Sequence, residues 1–156
     1  MIKYQHLCGK PFVHGSSDCY TAVRNFYRDN YGIELTDYAR PDDWWYKDMN
    51  LYMDLFPKEG FQLIYDEVHD YRPGDVSLLA IRSKVANHAV VHVGESKVFH
   101  HMYGKLSCAE LFRGPLRSRE VAHIRHSDVN VQIQETEMID VQSLIPEAVR
   151  RRFDVK

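Results

Sequence analysis

Cys19, His88 and His100 have the residue types and the spacing for nucleophilic chemistry in this 156-residue chain. Cys19 follows Gly15-Ser16-Ser17-Asp18 and opens a segment with apolar residues at 19, 22, 23, 26 and 27. That is the i, i+3, i+4, i+7 stripe of a helix. At a helix start, free backbone N–H groups and the positive dipole end stabilise an anion. This lowers a thiol pKa and raises the thiolate fraction. The same N–H groups can hold a developing oxyanion. A cysteine nucleophile also needs a base from another element, and a third group to orient that base. His88 opens an apolar strand, and His100 and His101 lie on the next one. Position alone does not make Cys19 catalytic, since a small buried cysteine at a helix start is more often structural.

The elements that must position these groups follow from period and punctuation. Ser17 or Asp18 caps the first helix and Gly32 follows its end. A second helix is predicted over 43–56, behind Pro41 and Asp42 and stopped by Pro57. After Arg72-Pro73-Gly74 the period becomes that of strands, predicted at 75–81, 87–93, 97–103 and 120–126. Helices first and an antiparallel run of strands after them give an α+β fold, with the N-terminal helices packed on a central sheet. The expected division is a domain over 1–126 and an extension over 127–156. The extension holds a strand-like piece at 129–133 and a short helix opening at Pro146. Its Arg150-Arg151-Arg152 triplet reads as a solvated helix end.

Strand parity makes the choice between His100 and His101 sharp. Side chains alternate faces, so His88, Val90 and His92 share one face, while His100 and His101 point opposite ways. If Gly94, Glu95 and Ser96 all lie in the hairpin loop, Val90 pairs with His100. If only Glu95 and Ser96 do, Val90 pairs with His101 and the assignment reverses. Gly94 favours the three-residue loop, because glycine adopts a positive φ without strain.

Other classes are excluded by composition. Hydrophobic residues make up 44% and charged residues 27%, enough for a packed core and too ordered a mixture for a disordered chain. The 20 basic and 22 acidic side chains leave a formal charge of −2, so no basic field exists to draw nucleic acid. No apolar run approaches the ~20 residues of a membrane helix, and the start carries no apolar signal segment. Three cysteines cannot form a fully paired framework and lack zinc-ribbon spacing. A metal module built from Cys8, Cys108 and some of His6, His14, His100 and His101 fits no standard spacing. His88 and His92 imitate a metal-binding helix motif, but Ala89, Val90 and Val91 between them lack its glutamate. On a strand the pair sits about 13 Å apart.

The local motifs then carry a resemblance. Residues 11–20, Pro-Phe-Val-His-Gly-Ser-Ser-Asp-Cys-Tyr, resemble the nucleophile segment of the NlpC-type cell-wall cysteine peptidases, which are papain-like. Gly74-Asp75-Val76 resembles that family's turn into its first core strand. Asn87-His88-Ala89 through Gly94, followed by Val98-Phe99-His100, resembles its catalytic strand and hairpin, and His100 follows His88 by the family's twelve residues. Asp18-Cys19-Tyr20, the segment from Asp42 to Trp45, and His100-His101 with Gly104-Lys105-Leu106-Ser107 resemble the branch found in phage tail assembly proteins. The likeness runs from Tyr4 to His126. Two departures stand out. Phe12 replaces a tyrosine common in the family, and the chain is too short to hold the metalloprotease-like domain that often precedes this one in that branch.

The resemblance implies a peptidase acting on peptide bonds in peptidoglycan stem peptides, in the virion at a phage tail tip, made in the host cytoplasm. Cys19 would be the nucleophile, His88 the base and His100 its orienter. Phe12, Asp18, Trp44 and Trp45 would meet the substrate, and neither cofactor nor metal is called for. Partners would be tail-tip or baseplate proteins, with no nucleic acid and no membrane insertion. The competing expectation is a catalytically silent tail component that uses the fold as a docking module.

Overall fold

A computed structural model describes residues 1–47, 49–65 and 70–129. Helix α1 (Cys19–Tyr31) starts where the stripe begins: the Asp18 side chain accepts from Thr21 N–H, and Gly32 closes the helix at φ 65°. Six strands follow: β1 (Phe61–Leu63), β2 (Val76–Leu79), β3 (His88–Gly94), β4 (Lys97–His100), β5 (Cys108–Leu111) and β6 (Glu120–His126). They form one antiparallel sheet in the order β1-β6-β2-β3-β4-β5. This is the expected α+β architecture.

Alternation along the strands sorts the core. Val76, Leu78, Ala89, Val91, Phe99, Ala122 and Ile124 share one cluster with Val23, Phe26 and Tyr27 of α1. Each such full burial contributes roughly 1.5–3 kcal/mol. Leu79, Val90 and Val98 belong to a second, smaller cluster with Phe112. The turn into β2 depends on Gly74, at φ 92°. A Cβ there would meet the Tyr31 hydroxyl at 2.5 Å, while Tyr27 Oη donates to the Gly74 carbonyl.

The β3–β4 hairpin differs from the expected loop. Gly94 pairs with Lys97, so only Glu95 and Ser96 lie in the turn, at φ 52° and 58°. Positive φ at both positions is the type I′ geometry. An irregularity between His92 and Gly94 then restores the offset, and Val90 still faces His100. The register expected for a three-residue loop is reached by a two-residue turn plus a bulge.

The second helix is also a correction. Residues 43–56 form a 3-10 turn at Trp44–Lys47 and a short helix α2 (Leu51–Leu55), and a further 3-10 turn covers Phe56–Glu59. Asn50 leaves helical geometry at ψ 56°, as a residue whose amide competes for backbone bonds does. Pro57 does not stop a helix but sits in the first turn of the last piece. The strand expected over 97–103 ends at His100, because Met102 begins a turn closed by Lys105 N–H. Strand β1 and the four-residue helix α3 (Gly114–Arg117) are too short for a readable period, and edge strand β5 is mostly exposed and carries no apolar run. The features expected at 130–133 and from Pro146 onward lie outside the described residues.

Candidate active site

The start of α1 and the start of β3 meet in a cleft of about 380 Å³, lined by Cys19 and His88 together. Cys19 takes the first helical position, and its side is formed by the 43–56 segment. Asp18 accepts Thr21 N–H through its side chain and Ala22 N–H through its carbonyl. The N–H groups of Cys19 and Tyr20 are left without a partner among the described residues, which is the helix-start arrangement that can hold an oxyanion.

The thiol is not the thiolate that the helix start suggested. Cys19 is 6% exposed, and burial, reinforced by the neighbouring Asp18 charge, pushes its pKa up to about 11. The Tyr52 hydroxyl, 2.9 Å from Cys19 Sγ, and the Ala89 backbone pull the other way without winning. Burial first, and Cys19 second, hold Tyr52 well above the ordinary phenol value, so its hydroxyl keeps its proton. Tyr52 was missed in the sequence. Its only signal is the aromatic spacing of Trp44, Tyr52 and Phe56, all buried, which carries it to the nucleophile.

Asp18 is tied up inside the protein. Oδ1 accepts from Thr21 N and Oγ1, and Oδ2 accepts from Gly15 N and Arg40 Nε, each at 2.8–3.0 Å. Both members of the Asp18–Arg40 pair are buried, and its hydrogen bonds and the Arg40 charge hold the carboxyl below its usual range despite burial. The carboxylate that lines the cleft is thus a cap and an anchor.

His88 and His100 meet across β3 and β4, with His88 Nε2 2.8 Å from His100 Nδ1. His101 turns away and its Nε2 meets the Lys105 carbonyl. Burial, then the neighbouring His100 and His101, push the His88 pKa down to about 3. Burial also lowers His100, against the pull of Glu110. His100 Nε2 lies 2.8 Å from Glu110 Oε1, on β5. Glu110 is the second residue the sequence did not offer, since its strand was not recognised. The resting site therefore pairs a neutral thiol with a neutral imidazole.

The remaining expected residues divide. Phe12 packs against His101 and Tyr103 on the cleft wall. Trp45 is half-buried beside His14, whereas Trp44 is a core residue at 1% exposure. His14 Nε2 meets the Arg40 carbonyl. Asp43 and Arg82, at φ 53° and 48°, are non-glycine residues in left-handed geometry, and both line the cleft. Among the described residues, one group could hold a metal: His100, Cys108 and Glu110, with ligand atoms within 4.8 Å of one another. The His100–Glu110 hydrogen bond already accounts for two of the three. Cys8, His6, His14 and His101 do not join it.

With this geometry in place, the family model for NlpC/P60 matches residues 9–125. The chain belongs to the NlpC/P60 family. It is 37% identical over 121 residues to the tail tip assembly protein K of Escherichia phage lambda, covering 78% of this chain and 59% of that protein. The protein of the same name from Escherichia phage N15 is 32% identical over 126 residues, covering 79% and 50%. The chain thus spans little more than half the length of these relatives. Among solved structures, an NLP/P60-family protein described as similar to lipoprotein, from Staphylococcus aureus, aligns at a TM-score of 0.55. Identity to it is 15%, over 78% of this chain and 38% of that one. NlpC1 from Trichomonas vaginalis aligns at 0.51 and 19%, over 78% and 40%. At these identities the structures speak for the NlpC/P60 fold alone. In this NlpC/P60 domain no described helix is long and apolar enough to cross a membrane.

Proposed function

We propose that this NlpC/P60 domain is a cysteine peptidase of a phage tail, cutting peptide bonds in peptidoglycan stem peptides. One observation carries the reading: Cys19 at a helix start with unpaired N–H groups shares a cleft with His88, which His100 holds from behind. His88 takes the Cys19 proton as the sulfur forms a bond to the scissile carbonyl carbon. The carbonyl π pair moves to oxygen, which the Cys19 and Tyr20 N–H groups hold. As the C–N bond breaks, His88 returns the proton to the leaving amine. Water then attacks the thioester, His88 receives its proton, the C–S bond breaks and the thiol is restored. Phe12 and Trp45 form walls for the peptide. Residues 1–126 act as the peptidase domain, with 127–156 as an extension for docking on tail-tip or baseplate proteins. The assembly names of the two phage relatives support a tail setting for that action, in genome delivery or in tail assembly.

A second reading rests on the closed thiol and on those same names: a silent tail component that keeps the fold for docking. Incubation with purified peptidoglycan and mass analysis of released fragments separates the two. Fragments cut within stem peptides, absent with Cys19→Ala, support the peptidase. Intact sacculi with a folded protein would overturn it.

A further inference from the structure

The hydrogen-bonded chain does not end at His100. We propose that Glu110, on edge strand β5, is a positioning residue that sets which nitrogen of His88 is free to act as the base. The inference rests on the peptidase reading for its catalytic meaning, and for its tautomers on the geometry of two rings that burial keeps neutral.

A carboxylate accepts hydrogen bonds and has none to donate. Glu110 Oε1 is 2.8 Å from His100 Nε2, so that nitrogen carries the hydrogen. A neutral imidazole has one N–H, which leaves His100 Nδ1 with a lone pair. Nδ1 is the atom that meets His88 Nε2, also at 2.8 Å. His88 must then donate through Nε2–H, and its own lone pair falls on Nδ1. Nδ1 is the nitrogen nearer the His88 backbone, next to Ala89, whose backbone hydrogen-bonds Cys19. The free lone pair of the base thus falls on the nitrogen that does not face His100, and the group that decides it is two hydrogen bonds away. Without Glu110, His100 Nε2 can lose its hydrogen and Nδ1 can donate to His88. That reversal puts a hydrogen on His88 Nδ1 and removes the base.

The strand register makes this arrangement a property of the sheet. His100 faces Cys108, and Val98 faces Glu110, so all four lie on neighbouring positions of β4 and β5. Glu110 and Cys108 are two residues apart on β5 and share a face. The Glu110 side chain is 53% exposed while His100 is 1% exposed. The deciding charge therefore sits at the surface, and its removal leaves no void in the core.

The test uses Glu110→Ala and Glu110→Gln in the full chain, with long-range proton–nitrogen NMR of the His88 and His100 rings. The parent protein should show both rings with Nε2–H. Glu110→Ala should shift His100 toward Nδ1–H and give His88 an Nδ1–H population. Turnover on peptidoglycan should fall about 10- to 100-fold in kcat with KM unchanged, as when an orienting group is lost from a nucleophile–base pair. Glu110→Gln keeps an acceptor of the same shape but adds a donor, and should lie between. Unaltered tautomers in Glu110→Ala would overturn the proposal, as would altered tautomers with unaltered kcat. If the parent protein hydrolyses nothing yet the tautomers shift as described, the positioning stands and the peptidase reading falls. Because the tautomers are read in folded protein, a variant that merely loosens β5 would show lost dispersion of many resonances instead.

Discussion

Strand β3 carries two buried histidines four residues apart, and the two ends of the strand use them in opposite ways. At one end His88 leads through His100 to a half-exposed Glu110 and opens on the cleft with Cys19. At the other end His92 meets the buried Ser77 hydroxyl and stacks on Tyr71 at 4.2 Å. Beside it, on β6, His123 and Arg125 both hold the Asp75 carboxylate. His92 is at least as buried as His88, because Tyr71 and Phe112 cover that end of the sheet. The lesson is that burial and hydrogen bonding alone do not mark a reactive histidine. A cleft, a nucleophile and a chain that reaches the surface separate the two.

The strongest way to break this contrast is at the nucleophile. Cys19→Ala should reduce turnover by about 10⁶-fold, with Tm almost unchanged, read by fragment release and thermal melting. The site is buried, but losing one sulfur leaves only a small void. Retained turnover in Cys19→Ala would erase the distinction between the two ends.

Asp75→Ala should do the reverse. It leaves Arg125 and His123 without their buried partner. Stability should fall by about 3–5 kcal/mol in a urea titration, with turnover per folded molecule kept. A large loss of kcat in the folded fraction would show that the far end does more than support the sheet.

Acid tests both ends at once. Burial holds His88 and His92 near 3 in the folded protein, below the 6.5 of a free histidine. Between those values the unfolded chain binds more protons, so stability rises with pH. It is fully present above 6.5 and drains as pH falls toward 3, at roughly 1.4 kcal/mol per unit for each histidine. His100, also lowered by burial, adds to the slope, so His92→Gln should reduce it by roughly 1.4 kcal/mol per unit, measured as unfolding free energy from pH 7 to 4. An unchanged slope would mean that His92 is not held neutral.

The smallest expected effect sharpens the catalytic end. Tyr52→Phe deletes the hydroxyl that meets Cys19 Sγ. A single ordinary hydrogen bond contributes about 0.5–1.5 kcal/mol, so kcat should drop by at most roughly tenfold while Tm moves little. Unchanged kcat would make Tyr52 a packing residue.

Much of this contrast could be read along the chain, and the gaps have local causes. Helix α1 was legible because a cap, a stripe and a closing glycine agree over thirteen residues. Strands β2, β3, β4 and β6 were legible as apolar, strand-type runs between turn signals. Pairing of His88 with His100 came out as expected, but through a turn whose two non-glycine residues, Glu95 and Ser96, give no composition signal for positive φ. The 43–56 segment was misread because its aromatic residues imitate a helix while Asn50 breaks one. Tyr52 and Glu110 stayed hidden for different reasons: Tyr52 lies in the misread 43–56 segment, and Glu110 on an exposed edge strand without an apolar run. The thiol's ionisation was also misjudged. A helix start is visible in sequence, whereas the packing that desolvates Cys19 is a tertiary fact.

The surface thiol of Cys108, 3.8 Å from His100 Nε2, governs how the molecule answers covalent probes. A thiol-directed label reaches exposed Cys108 before buried Cys19, and its adduct lands on the hydrogen-bonded chain that orients the base. Turnover would then be silenced with the nucleophile untouched, and a count of labelled sites would miscount working centres. Occupancy measurements on this protein belong in a background with both Cys8→Ser and Cys108→Ser, where a remaining adduct reports Cys19.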